Sequence, residues 1–281
     1  MTTPPERESA ADLRFVQVGE LGRAMAHDAE APSSPRLSGS SFVLYDETGG
    51  VTRYTFSGES DLTWEVEQGD AAGSGAREEC WAAEPRDGVF LVDYVAWRER
   101  ATSVSMVLDL PAGAATVVVG TLPEEKDVQK SAVRLARDGE SLTAVGARFV
   151  RAAIDRPFDA AAHAHAPTSE MVGHRVQYVY TPTEAYEHIY LNDRLYTWQC
   201  LSGVEKGLAD TDVCHAWKLG DKLYLFVWRE RVVPTLGVVV VDWREMRSTG
   251  KLFGYESDDF GDLSNTHIAS KATLLNVTEY V

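Results

Sequence analysis

The sequence predicts an all-β chain: two tandem antiparallel β-barrels behind a short N-terminal arm or helix. Three observations predict this. Short runs rich in β-branched and aromatic residues recur from residue 41 onward, separated by Gly, Asp, Ser and Pro. Long helical periods are missing between them. The second half of the chain also repeats the first, strand by strand and turn by turn.

The elements follow in order. Residues 1–35 form the arm. Pro4 and Pro5 precede Glu6–His27, where "LRFVQVGELGRAMAH" is long enough for about four helical turns. "DAEAPSSP", from Asp28, reads as a linker. Residues 36–165 form the first barrel, with strands "SSFVLYD", "TRYTFSG", "DLTWEVE", "VFLVDYVAW", "TSVSMVLDL" and "ATVVVGT". "EEKDVQKSAVRLARDGES" is a polar, exposed connection, and "LTAVGARFVRAAI" supplies a last strand. "DRPFDAAAHAHAP" is a loop. His163 and His165 within it have no third ligand at sensible spacing, so a polar linker is preferred to a metal site. Residues 166–281 form the second barrel, with "HRVQYVY", "YEHIYLN", "LYTWQCL", "CHAWKL", "LYLFVWRE", "TLGVVVVD" and "GKLFGYE".

At a shift of 134 residues, Gly39 falls on Gly173, Thr63-Trp64 on Thr197-Trp198, Gly69 and Gly73 on Gly203 and Gly207, and Cys80 on Cys214. Beyond that point "WRER" at Trp97–Arg100 matches "WRER" at Trp228–Arg231 at a shift of 131. This predicts a longer turn in the first copy around "EPRDG" and makes Glu99 the counterpart of Glu230. Each copy is about 85–110 residues long, which suits a small closed barrel without exposed edges.

Composition narrows the function. The formal charge of −16 offers no basic stripe to nucleic acid or to an anionic membrane surface. Cys80, Cys200 and Cys214 form no CxxC, which fits a reduced, cytoplasmic protein. No apolar run approaches the ~20 residues of a membrane helix, and "MTTPPERESAAD" has no apolar signal-peptide core. A G-x-S-x-G elbow, an HExxH pair, a Walker loop and a framed G-x-G-x-x-G are all missing.

Candidate site residues come from strand alternation. His174, Val176, Tyr178 and Tyr180 share one face. Tyr186, His188 and Tyr190 share another, as do Tyr196, Trp198 and Cys200, and Tyr224, Phe226, Trp228 and Glu230. Turned into one barrel, these faces build a lumen of phenols, indoles, imidazole and one carboxylate. A buried phenol without a partner costs about 1–3 kcal/mol, so several converging phenols point to a polar ligand or ordered water. Glu230, following "LYLFVW", is expected to have its pKa raised by burial and to act as general acid or base. Tyr178, Tyr180 and His188 complete the candidate catalytic set. Tyr186, Tyr196, Trp198, Phe226, Trp228 and His215 are the candidate substrate-binding residues, although Cys214, next to His215, matches Cys80 and suits a structural position. The plainer readings are core packing for the tyrosines and a rim ion pair with Arg229 or Arg231 for Glu230. A separate site around Tyr54, Asp93 and Glu99 in the first barrel is less supported.

The segments "VGHRVQYVY", "YEHIYLN", "YTWQCLSGVEKGLADTD", "CHAWKL", "LYLFVWRERVVPTLGVVVVD" and "GKLFGY" closely resemble the MoaF family. The match is dense over residues 171–280 and thin before 130. The family's association with aromatic-compound metabolism implies an aromatic ligand. A looser similarity links the second barrel to the phenolic acid decarboxylases, which are lipocalin-like barrels of the calycin type. Their Y-x-Y strand, Y-E, S-G turn and W-x-E match Tyr178 and Tyr180, Tyr186 and Glu187, Ser202-Gly203, and Trp228 with Glu230. That resemblance implies two lipocalin-like barrels, tyrosines that grip an acidic group, and a glutamate that moves the proton. This sequence departs from the pattern in one respect: no arginine follows the S-G turn before Cys214, and Lys206 is the only basic residue there.

The expectation is an enzyme acting by acid–base chemistry on a small aromatic, phenolic or conjugated molecule, by decarboxylation, isomerisation, dehydration or cyclisation. No metal or organic cofactor is expected. The partners expected are that small molecule and, allowed for, a second copy in a homodimer, with no nucleic acid and no membrane. The alternatives are a non-catalytic lipocalin-like carrier and a partner-binding module that uses its acidic outer surface.

Overall fold

The computed structural model describes residues 14–26 and 32–280. Most of the expected N-terminal arm, Pro4 and Pro5 included, and the start of the linker at Asp28 lie outside the described residues. The first barrel runs β1 (Ser41–Asp46), β2 (Val51–Phe56), β3 (Asp61–Gln68), β4 (Gly75–Arg86), β5 (Val89–Val95), β6 (Thr102–Asp109), β7 (Ala114–Thr121) and β8 (Gly146–Ile154). Each strand pairs antiparallel with the next, and β8 closes on β1 through Leu44 and Ile154.

A two-residue strand, β9 (Ala166–Pro167), lies on the outside of the second barrel and pairs with β13. That barrel runs β10 (His174–Val179), β11 (Ala185–Tyr190), β12 (Leu195–Ser202), β13 (Ala209–Gly220), β14 (Leu223–Arg229), β15 (Leu236–Asp242), β16 (Arg247–Tyr255) and β17 (Leu263–Val277). It closes by pairing β17 with β10. Two closed antiparallel barrels thus stand in tandem, as the repeated strand pattern predicts.

There are three cores. Inward side chains fill each barrel. The third core lies between the barrels, where Leu91, Val107 and Val118 of the first meet Leu225, Val238 and Phe253 of the second. This explains the apolar runs "VFLVDYV" and "LGVVVVD", which are buried at every position. One face fills a barrel and the other packs on its neighbour. The apolar area removed from water on both faces is what holds the barrels together.

The repeat is tighter than the sequence reading allowed. Arg86 pairs with Val89 across the β4–β5 turn, and Gly220 pairs with Leu223 across the β13–β14 turn. The two turns are equally long, so the shift of 134 continues through β5 and β14. The "WRER" match is therefore out of register. Tyr94, not Trp97, corresponds to Trp228, and Ala96, not Glu99, corresponds to Glu230. Trp97 is 68% exposed, beyond the end of its strand.

Two connections also differ from expectation. The polar stretch after β7 contains a seven-residue helix, α2 (Ala132–Asp138), capped by Ser131 and ended by left-handed Gly139. Its capping residues were visible, but it has no buried face to give it an apolar period. The "AHAHA" loop is not a solvated linker. His165 is fully buried and its Nδ1 lies 2.9 Å from Thr116 Oγ1. His163 Nε2 reaches the carbonyls of Ala115 and Ala152. Both rings tie the loop to the first barrel by satisfying backbone and hydroxyl groups.

At the N-terminus the helix is shorter than four turns. It is a nine-residue segment, Val18–Ala26 (α1), with Val18, Leu21 and Met25 buried. It packs against β16 and β17, so this helix covers the second barrel rather than the first.

Candidate functional site

The four aromatic faces read from strand alternation do converge. Tyr178, Tyr186, Tyr190, Tyr196, Trp198 and Trp228 all belong to the core inside the second barrel, with Tyr180, Cys200 and Phe226. Gly237 sits opposite Trp228 on β15. A Cβ there would collide with the indole ring, so glycine makes room for Trp228 inside the wall.

His188 lies at the centre of this cage. Its ring centroid is 4.7 Å from that of Tyr178, 5.1 Å from Tyr196 and 5.9 Å from Trp228. It is 6% exposed, and its Nδ1 is buried with no hydrogen-bond partner among the described residues. Burial pushes its pKa down to about 3, so the imidazole is neutral at physiological pH.

Glu230 follows directly on β14 and lines the same space as His188, Tyr180, Tyr186, Tyr196 and Trp228. The Trp228 indole N–H donates to Glu230 Oε1 at 2.8 Å. Burial, with the negative charge of Asp212 adding to it, raises the Glu230 pKa well above the usual carboxylate range, against the opposing pull of the Trp228 bond. Arg229 and Arg231 do not neutralise it. Arg229 donates to the Val145 carbonyl and Arg231 pairs with Asp210. The carboxyl is therefore held neutral, as a proton donor.

The remaining predicted residues sort by position. Burial raises the Tyr180 and Tyr196 phenols above their ordinary range. The Tyr178 hydroxyl is 2.8 Å from that of Tyr190, one layer away from the enclosed space. Tyr186 donates to Glu205 Oε2 at 3.1 Å, and Trp198 donates to Asp212 Oδ2 at 3.0 Å. Phe226 stacks on Trp228 in the wall. His215 is not brought into the lumen. Its neighbour Cys214 points inward, and His215 packs outward against Phe149 of the first barrel, 4.8 Å between centroids. Odd and even positions on β13 face opposite sides, and this parity separates His215 from the other candidates. Glu187 also faces away and pairs with Arg175.

Sequence reasoning missed Glu205, Asp212 and the roof. Glu205 sits in the turn after β12, 6% exposed, and accepts the Val16 backbone N–H at 3.1 Å. Asp212 shares the inward parity of Cys214, which was the available signal. Leu21 and Met25 of α1 roof the lumen, and Phe15 meets Trp198 edge-on at 6.1 Å. Gly22 lies so close to Thr266 that a Cβ has no room. The enclosed space is about 20 Å³, enough for roughly one water. Among the described residues, no group of three or more His, Cys, Asp or Glu is placed to hold a metal ion. Nor is any helix among them long and apolar enough to cross a membrane.

Comparison with known proteins places the chain in a family. A solved chain from Burkholderia vietnamiensis, provisionally described as a beta-lactamase, shares 12% identity over 38% of this chain and 96% of its own, at a TM-score of 0.32. Protein MoaF of Klebsiella aerogenes is 39% identical over 269 residues, which is 95% of this chain and 97% of that protein. The MoaF N-terminal domain model matches residues 13–124, and the MoaF C-terminal domain model matches residues 165–278. The chain belongs to the MoaF family.

Proposed function

We propose that the second barrel binds a small aromatic, phenolic or conjugated molecule and moves a proton on it, using side-chain acid–base groups alone. One observation carries this reading: a buried carboxyl, Glu230, and a buried imidazole with an unpaired nitrogen, His188, line one enclosed space. A packing core has no use for either, since each polar group buried without its full complement of partners costs stability.

In this reading the aromatic walls hold a flat molecule by stacking and apolar burial. His188 Nδ1 accepts a hydrogen bond from a substrate hydroxyl. Glu230 delivers a proton to one end of the conjugated system. The Tyr180 and Tyr196 hydroxyls donate to the substrate oxygen that carries negative charge. The Glu230 carboxylate so formed takes a proton from the other end, which restores the starting state, and the net result is isomerisation. If carbon dioxide or water departs instead, the same donor completes a decarboxylation or dehydration, and solvent resets the protons. Because the closed lumen holds about one water, α1 has to lift for substrate to enter.

A non-catalytic carrier is the second reading. The specific observation favouring it is the roof, since a helix seated over an aromatic lumen serves capture and release as well as turnover. The two are separated by incubating wild type and Glu230→Gln with conjugated aromatic acids, phenols and enones, and reading product mass and ligand binding. The enzyme reading expects turnover in the wild type, reduced about 10²–10⁴-fold in the variant, with binding retained. Unchanged compounds bound equally by both proteins would establish the carrier.

A further inference from the structure

The first barrel holds a cavity of about 260 Å³, far larger than the 20 Å³ left in the second. The reason is visible in the repeat. At the shift of 134 residues, Leu44 stands where the second barrel has Tyr178, Thr52 where it has Tyr186, Leu62 where it has Tyr196, Val92 where it has Phe226, and Ala96 where it has Glu230. Ala71 likewise stands where Glu205 binds the N-terminal segment. Smaller side chains replace rings at four of these positions and glutamates at the other two. The helix that roofs the second barrel makes its contacts there, with β16 and β17, and no α1 residue lines this cavity.

The lining sorts by depth and chemistry. Val104, Val117, Val119 and Val150 make an apolar wall. Tyr54, Tyr94 and Trp64 add aromatic surface. Burial raises the Tyr54 pKa to about 12 and the Tyr94 pKa well beyond its ordinary value, so both remain neutral hydroxyls. The Trp64 indole nitrogen is buried and makes no hydrogen bond of full geometry; its protein neighbour is the buried Glu78 carboxyl, whose pKa it pulls down against the larger rise from burial. Glu99 and Arg148, which also line the space, are exposed residues. Asp46 is half-buried and is engaged by the Thr48 and Gly50 amides of its own turn. The buried wall therefore carries donors and apolar surface but no charged group, and a charged ligand group would be desolvated there without a counter-ion.

We propose that the first barrel is a second small-molecule site, distinct from the lumen under α1, that takes an uncharged single-ring aromatic molecule bearing a carbonyl or hydroxyl oxygen. The oxygen accepts from the Trp64 indole N–H, and the ring lies against the valine wall beside Tyr54 and Tyr94, whose hydroxyls meet each other. The volume suits such a ligand: it exceeds the roughly 150 Å³ of a dry apolar cavity that takes up benzene. The Asp93 once grouped with Tyr54 and Glu99 takes no part. It faces the neighbouring barrel, where it pairs with Lys251.

The test is a ligand-observed saturation-transfer NMR titration of the full chain with acetophenone, toluene and benzoate. Acetophenone is expected to bind more tightly than toluene, and benzoate not to bind. Trp64→Phe keeps the ring but removes the donor. It is expected to weaken acetophenone about tenfold, the loss of one net hydrogen bond, and to leave toluene unchanged. Thr52→Tyr installs the ring that the second barrel has at this position and is expected to abolish binding of both. Thr52 lines this cavity and not the lumen of the second barrel, so the effect of Thr52→Tyr separates the two sites. Failure of acetophenone to bind would overturn the proposal. So would acetophenone binding that survives Trp64→Phe or Thr52→Tyr.

Discussion

At the scale of single residues, the site consists of groups held in the uncharged state by burial. His188 has its pKa pushed down to about 3 from an ordinary 6.5. In the unfolded chain the same imidazole takes up a proton at higher pH. Acidification from pH 6.5 toward 3 therefore favours the unfolded state, and stability falls in that window. Glu230 has the opposite sign. Its folded pKa is raised, so the folded state holds the extra proton, and stability falls as pH rises above the ordinary carboxylate value near 4.5. Thermal melting across pH should show both limbs. His188→Phe is expected to flatten the acid limb, with the smaller contribution of His215, pushed down to about 4, remaining. Glu230→Gln is expected to flatten the alkaline one, where the raised pKa of Asp212, up to about 6, also acts. Unaltered profiles in both variants would show that neither group titrates abnormally.

Much of this was legible in the sequence, because a strand of alternating side chains carries its own inside and outside. Tyr186 with His188, Tyr196 with Trp198, and Phe226 with Trp228 and Glu230 came out on the lumen side for that reason. His215 did not: it shares the parity of Trp217, opposite to that of the inward Cys214. The partnering of Tyr178 with Tyr190 was not legible, since a shared face does not reveal which hydroxyls meet each other.

At the scale of elements, α1 is the movable part of the account. Val18, Leu21 and Met25 seat it on the barrel, the Val16 amide donates to buried Glu205, and Gly22 permits close approach to Thr266. Gly22→Val forces a side chain into that contact. Overpacking of this kind typically costs about 1–3 kcal/mol, so amide exchange at Val16 is expected to accelerate about tenfold to hundredfold while exchange in β14 and β15 stays slow. Equal protection of Val16 in both proteins would mean that the helix is not held by this contact. The sequence showed a helical segment here but not its destination. Nothing in the "GELGRA" segment itself says that the first described helix covers the last barrel, because that contact joins residues more than two hundred positions apart in the chain.

At the scale of the whole molecule, the two barrels are joined by an apolar layer and by a buried ionic cluster. Lys251 Nζ is 2.5 Å from Asp93 Oδ1, and each residue is 1% exposed. Ser105, Asn265 and His267 complete the carboxylate's partners. Burial raises the Asp93 pKa, but Lys251 and His267 outweigh it and hold the carboxyl below its usual range. Lys251→Met leaves this carboxylate without its nearest cation and is expected to destabilise the chain by about 3–5 kcal/mol in urea titration. Replacing Asp93 by Leu in the same chain should restore most of that loss. If the double variant is no more stable than the single one, the pair has a role beyond mutual neutralisation. The repeat was legible at this scale through its turn glycines and paired cysteines. Its register past β4 was misread, because an identical "WRER" string outweighed the spacing of the strands. Correcting it leaves Glu230 without a counterpart in the first barrel, where Ala96 stands in its place.

That asymmetry is the central claim, and solvent-deuterium incorporation tests it most directly. The wild-type chain and Glu230→Gln are incubated in heavy water with a panel of conjugated aromatic acids, phenols and enones, and deuterium on carbon is read by mass spectrometry. The account predicts exchange catalysed by the wild type and lost in Glu230→Gln, with ligand binding retained. Ligand bound by both proteins and recovered without deuterium would contradict it and leave the second barrel a carrier.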